Sequence, residues 1–173
     1  MPMVCPNASQ AMKTMTSSYQ FRYFQATDLK HLLQINLAFA YEIKRKDTLV
    51  KNFDRIRFER EEIKHLEFNA TCPFYRYYLC TLSGNIIGFI WFGQSDDNRA
   101  EGFIDELYVQ AAHRREGIAK RLMKEALRWV KERDCTSVTL TVDSKNESAI
   151  QLYQGMGFRR KEESEDIFWL PFL

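Results

Sequence analysis

Apolar residues recur along this chain with two periods, and the switches between them mark out its elements. An alternating run at residues 19–25 reads as a first strand. Thr27 or Asp28 can then cap a helix whose apolar stripe is Leu29, Leu32, Leu33, Ala40 and Ile43. A more charged helical stretch, residues 48–67, offers Phe53, Ile56, Ile63 and Leu66 for burial. Runs 74–82 and 86–92 are strands flanking Ser83-Gly84-Asn85, a hairpin signal. The segment Ser95-Asp96-Asp97-Asn98-Arg99 makes a turn before a strand that ends at Val109. Residues 117–134 return to helical spacing, with Ile118, Leu122, Ala126, Trp129 and Val130 on one side. A strand at 138–142, a helix from Asn146 to Tyr153 and two short strands, 158–161 and 166–171, complete the pattern. The order β-α-α-β-β-β-α-β-α-β-β predicts an α+β fold, a mixed, mostly antiparallel central sheet flanked by helices.

Length and composition narrow the class. With 173 residues the chain holds one domain, 19–173, behind a loose tail at 1–18 that lacks a basic start followed by an apolar run. Hydrophobic residues at 45% and charged residues at 28% fit an ordinary soluble protein. A net charge of +2 is too balanced to argue for a nucleic-acid surface, and no apolar run reaches membrane-spanning length. The four cysteines, Cys5, Cys72, Cys80 and Cys135, have neither metal nor redox spacing. They read as reduced thiols in a cytoplasmic protein without a metal.

One segment carries chemistry of its own. Arg114-Arg115-Glu116-Gly117-Ile118-Ala119-Lys120 lies between the strand ending at Val109 and the helix that comes next. The first amides of a helix lack intrahelical acceptors and sit at the positive end of its dipole, so they bind anions. Gly117 removes a side chain that would hold an anion off the backbone, and Arg114, Arg115 and Lys120 add positive charge. These features point to a phosphorylated ligand, although neither common nucleotide glycine motif is present. The alternative is a basic helix start on a solvated surface.

The next helix narrows the ligand. Asn146 and Tyr153 are seven residues apart, two helical turns, and Gly155 and Gly157 end the run. Arg114-x-x-Gly117-x-Ala119 and Asn146-x-x-Ala149-x-x-x-Tyr153-x-x-x-Gly157-Phe158, in this order with a strand between, resemble the GNAT superfamily of N-acetyltransferases. Ala119 stands where many members carry glycine, a replacement that the family pattern admits. The resemblance implies acetyl-CoA as cosubstrate and an amine as acceptor. It implies that backbone groups of Leu107, Tyr108 and Val109 pair with the pantetheine arm like an added strand. Amides of Arg115, Glu116, Gly117, Ile118, Ala119 and Lys120, beside Arg114, would cradle the pyrophosphate, and Asn146 would hydrogen-bond the cofactor. Tyr153 would meet the cofactor as general acid, its phenol protonated at neutral pH with a reference pKa near ~10.

The base has two candidates. Asp105 and Glu106 adjoin in one strand, so alternation points them to opposite faces: Asp105 with Leu107 and Val109, Glu106 with Tyr108. Asp105 is the first candidate and Glu106 the second, either acting through water or after a pKa shift. His113 reads as a solvent-facing turn residue, and His31 and His65 are given no role. The acceptor, a small molecule or a protein amine, stays open: Tyr41, Glu42, Asp47 and Phe53 lie among Lys44, Arg45, Lys46, Lys51, Arg55 and Arg57. A homodimer is admitted. A non-catalytic acyl-CoA-binding protein and a nucleic-acid-binding module are the competing readings; Tyr153 with both carboxylates opposes the first, and the balanced charge opposes the second.

Overall fold

A computed structural model describes residues 18–46 and 55–172 of the chain. Its elements run β1 (Gln20–Tyr23), α1 (Leu29–Lys46), α2 (Arg55–Thr71), β2 (Tyr75–Leu82), β3 (Asn85–Gln94), β4 (Glu101–Val109), α3 (Ile118–Lys131), β5 (Ser137–Thr141), α4 (Glu147–Gln154), β6 (Arg159–Arg160) and β7 (Ile167–Pro171). The element order matches the sequence pattern. The start of the second helical stretch, with Phe53, lies outside the described residues. Ile56, expected in the core, is 70% exposed. The cap of α1 also differs from expectation. A short 3-10 turn precedes α1, with Gln25 at its N-cap, and the Asp28 carboxylate reaches back to the Gln25 amide at 2.9 Å.

Seven strands form one sheet in the order β1-β2-β3-β4-β5-β7-β6. Every neighbouring pair is antiparallel except β4 and β5, which α3 connects as a crossover. The β2–β3 hairpin turns on Ser83 and Gly84, both at positive φ, the backbone that matches the strand twist. On one face, α1 and α2 bury Leu32, Ile35 and Leu66 against Tyr77, Leu79, Phe89 and Tyr108. On the other, α3 sets Leu122, Met123, Ala126 and Val130 against Ile90, Phe92, Ile104, Val138 and Phe168. Strand β3 is therefore buried on both sides, which is why its sequence is a continuous apolar run. Among the described residues, no helix is long and apolar enough to cross a membrane.

Two irregularities in β4 set the shape of the sheet around its open edge. It pairs with β5 only from Glu101 to Ile104, against Ser137 to Leu140. Residues 106–109 keep their antiparallel partners on β3 but have none on β5, so one backbone edge is open there. The register with β3 also slips. Trp91 faces Glu106 and Phe92 faces Ile104, so Asp105 is the extra residue of a β-bulge.

Candidate active site

The segment behind β4 has the geometry of an anion cradle. Arg115 and Gly117 have φ of 68° and 80°, in the left-handed region. Gly117 is the N-cap of α3, and a Cβ there would meet no atom within 4 Å, so its place is set by backbone conformation and the space above it is open. Among the described residues, no backbone carbonyl accepts from the amides of residues 115–120; the next donor is Arg121, to Gly117 O at 3.1 Å. Those amides, at a helix N-terminus, are free for an anionic ligand. Arg115, Glu116 and Lys120 are exposed, while Ile118 is buried and Ala119 half-buried as α3 docks on the sheet.

The side chains of Arg114 and Glu116 have protein partners of their own. Arg114 donates from Nε to Val109 O at 2.8 Å and clamps the Glu42 carboxylate of α1 at 2.7 and 2.8 Å. Its side chain ties α1 to the turn. Glu116 accepts from the Tyr19 hydroxyl. That hydroxyl also meets His113 Nδ1 at 3.2 Å, so the histidine is a partly buried tether and does not face solvent as expected.

The open edge of β4 contains Leu107, Tyr108 and Val109. The side chains of Tyr108 and Val109 are buried in opposite clusters, which leaves the backbone, apart from the Val109 carbonyl that Arg114 already holds, as the part that can pair with a ligand. β5 ends at Thr141, one residue past its last pairing with β4, while β4 runs on to Val109, and the crevice beyond the carboxyl ends of parallel strands is where such sheets bind ligands. The chain leaves β5 into α4, whose N-cap is Asn146. Its Oδ1 accepts from the Ala149 amide at 3.3 Å and from Ser148 Oγ at 3.2 Å. Asn146 thus starts the helix and sits off the regular helical face on which spacing alone had placed it. Tyr153 is buried against Phe158, ring centres 6.0 Å apart. No hydrogen bond of its hydroxyl to another described residue is seen. Burial pushes its pKa up to about 12, so the phenol holds its proton.

The carboxylates are separated by the bulge. Asp105 is exposed, whereas Glu106 lies on the α2 side with Oε2 sealed from solvent and unpartnered. Desolvation, then the nearby Glu62 and Asp105 charges, push Glu106 up to about 8. Around it lies a polar cluster that sequence reasoning missed. Asn36 of α1 donates to Glu62 of α2 at 2.6 Å, the Tyr77 ring stacks on Trp91 at 6.0 Å, and His65 meets Trp91 edge-on at 4.7 Å. The Tyr77 hydroxyl, Trp91 Nε1 and both amide atoms of Asn69 are buried without partners. The available signal was Glu62, His65 and Asn69 at helical spacing beside Leu66 on the face of α2 turned to the sheet.

Comparison with known proteins agrees with this architecture. The model of the acetyltransferase (GNAT) family matches residues 37–158. An uncharacterised N-acetyltransferase of Methanocaldococcus jannaschii is 24% identical over 165 residues, 91% of this chain and 68% of that protein. N-alpha-acetyltransferase 30 of Saccharomyces cerevisiae matches locally, 37% identical over 62 residues, 36% of this chain and 35% of that protein. The fold is shared with a GNAT-family acetyltransferase of Staphylococcus aureus Mu50, at TM-score 0.71 and 18% identity over 89% of this chain and 99% of that one. It is also shared with AAC(6')-Iy in complex with a bisubstrate analogue of CoA, at TM-score 0.66 and 19% identity over 84% and 94%. With a family match over residues 37–158, on a sheet that opens between β4 and β5 beside an amide-lined turn, the chain belongs to the acetyltransferase (GNAT) family.

Proposed function

We propose that this protein transfers an acetyl group from acetyl-CoA to a primary amine by direct attack on the thioester. The observation that carries the reading is the divergence of β4 from β5 between the anion cradle and α4. The amides of residues 115–120 hold the pyrophosphate, assisted by Arg115 and Lys120. The open backbone at Leu107, Tyr108 and Val109 takes the pantetheine amides. Asn146 caps α4 with Oδ1 and keeps Nδ2 for the cofactor. Arg114 acts indirectly, holding α1 against the turn through Glu42.

Bound acetyl-CoA supplies the activated acyl carbon. The acceptor reacts as the neutral amine, and Glu106, ionised at slightly alkaline pH, takes through water the proton that its nitrogen sheds as the amide forms. The nitrogen lone pair forms the C–N bond, the C–S bond breaks, and Tyr153 donates its proton to the departing thiolate. Glu106 serves as base in preference to Asp105: burial raises both carboxyls, but the bulge leaves Asp105 the more exposed side chain, while Glu106 is enclosed and pushed up to about 8. Enclosure also fixes the carboxylate relative to the open edge, so orientation adds to proton transfer.

The test is thiol release from acetyl-CoA by the purified full-length protein over a broad panel of amines, alongside calorimetric titration of CoA. Amine-dependent release is the expected outcome. Tight CoA binding with no release from any amine removes the enzyme and leaves a carrier of acyl-CoA; absence of CoA binding removes both.

A further inference from the structure

Helix α2 crosses the strands beneath it, and two ring contacts show in which register. Tyr77, Trp91 and Glu106 are successive cross-strand partners, so they form a row across β2, β3 and β4. A helical turn rises about 5.4 Å and strands lie about 4.8 Å apart, so a helix running across strands passes over about one strand per turn. Phe68 of α2 meets Tyr75 of β2 with ring centres 6.2 Å apart. One turn earlier, His65 meets Trp91 of β3 edge-on at 4.7 Å. The next turn back brings Glu62 over β4, where Glu106 stands opposite Trp91.

Glu62 is fixed in that place. Asn36 of α1, 2% exposed, donates to Glu62 Oε1 at 2.6 Å. Two helices thus pin one carboxylate beside another. Among the described residues, no lysine or arginine pairs with Glu62 or Glu106. The other groups facing Glu106 are the Tyr77 phenol from β2, the neutral Trp91 indole from β3 and Asp105 from β4. His65 of α2 lies on the Asp105 side. Like charges enclosed together without a cation cost stability, and sites that tune an acid or base are where such arrangements concentrate. The hydrogen bond from Asn36 does not itself call for a charge, since a neutral glutamine would accept it as well.

Resting on the assignment of Glu106 as base in acetyl transfer, we infer that Glu62 is a positioning residue for the reaction: Asn36 fixes its carboxylate, and its charge opposes ionisation of Glu106. An exposed glutamate, with a reference pKa near ~4.3, is a weak base toward nitrogen. A fixed negative charge at its side makes the ionised form a stronger proton acceptor.

The test replaces Glu62 by glutamine, which keeps an acceptor for Asn36 and removes only the charge. The full-length protein is labelled with carbon-13 at its glutamate carboxyls, and NMR follows the Glu106 signal, identified by its loss in Glu106→Gln, across a pH titration. The parent midpoint is expected near 8, and that of Glu62→Gln about half a pH unit or more lower. Glu62→Ala, which loses the hydrogen bond too, should move it by a similar amount. CoA titration and thermal melts report that each variant is folded. The inflection of kcat/KM for a single amine should move with the NMR midpoint. An unmoved midpoint in Glu62→Gln overturns the inference, as does a larger shift in Asp105→Asn, which gives the role to the bulge residue. A midpoint that moves while the rate profile stays fixed removes Glu106 as base and overturns the inference with it. Failure of acetyl transfer is seen separately, as no thiol release with any amine, and it removes the positioning role whatever the midpoint does.

Discussion

Glu106 and Tyr153 are both pushed toward their protonated forms by burial, with opposite consequences for their use. A base must lose its proton to work, so kcat/KM is expected to rise with pH and level off above about 8. Glu106→Gln should flatten that limb and lower kcat/KM about 10²-fold or more, with CoA affinity retained. Steady-state rates from pH 6 to 9.5 check this; an unaltered profile in the variant assigns the base elsewhere. The same carboxylate also links stability to pH. Its folded-state pKa lies above the ordinary carboxylate range, so between that range and about 8 the folded chain holds a proton that the unfolded chain has lost. Stability therefore falls as pH rises through this window. Glu106→Gln should melt at a higher temperature relative to the parent at pH 8 than at pH 5. Tyr153 is raised to about 12 and remains a proton donor over the whole range. Tyr153→Phe keeps the ring on Phe158 and removes only the hydroxyl, so kcat should fall by about 10²-fold at near-constant CoA affinity. Equal losses in both would make the hydroxyl a binding group.

At the level of elements, α3 does two jobs with different residues. Its apolar stripe docks on the sheet, while its first amides stay unpaired at the turn. Gly117 joins them by holding φ at 80°. Gly117→Asp places a carboxylate among those amides and adds strain of about 1 kcal/mol or more at that φ. CoA affinity should fall about 10²-fold or more, far beyond the loss expected from a melting shift of a few degrees. Calorimetry and thermal melts on one sample separate the two effects. The turn was legible in the sequence because glycine, basic residues and a helix start are local signals. The partners of Arg114 and Glu116 were not, because Glu42 lies on α1 and Tyr19 beside β1, 72 and 97 residues away. The capping role of Asn146 is local, and its Asn-x-x-Ala spacing admitted it.

Across the whole molecule, close packing of α3 on the sheet holds the β4–β5 divergence in place. A Cβ on Gly102 would collide with Val130 of α3, at the last stretch where β4 still pairs with β5. Gly102→Ala should lift the helix and cost about 1–3 kcal/mol, seen as a melting point several degrees lower. An unchanged melting temperature would show that α3 accommodates the methyl without moving. The sequence by itself determined the order of the elements, the sheet's mixed character and the amide-lined turn, because periodicity and turn chemistry act over a few neighbouring residues. Tertiary structure decided which carboxylate is enclosed. One residue inserted at Asp105 shifts the register with β3, and strict alternation carries no mark of that shift. Tertiary structure also laid α2 across β2, β3 and β4, so that Glu62 comes beside Glu106. These carboxylates lie 44 positions apart in the chain, and no local pattern joins them. Their meeting depends on how α2 lies across the sheet, which is set by burial summed over the whole core.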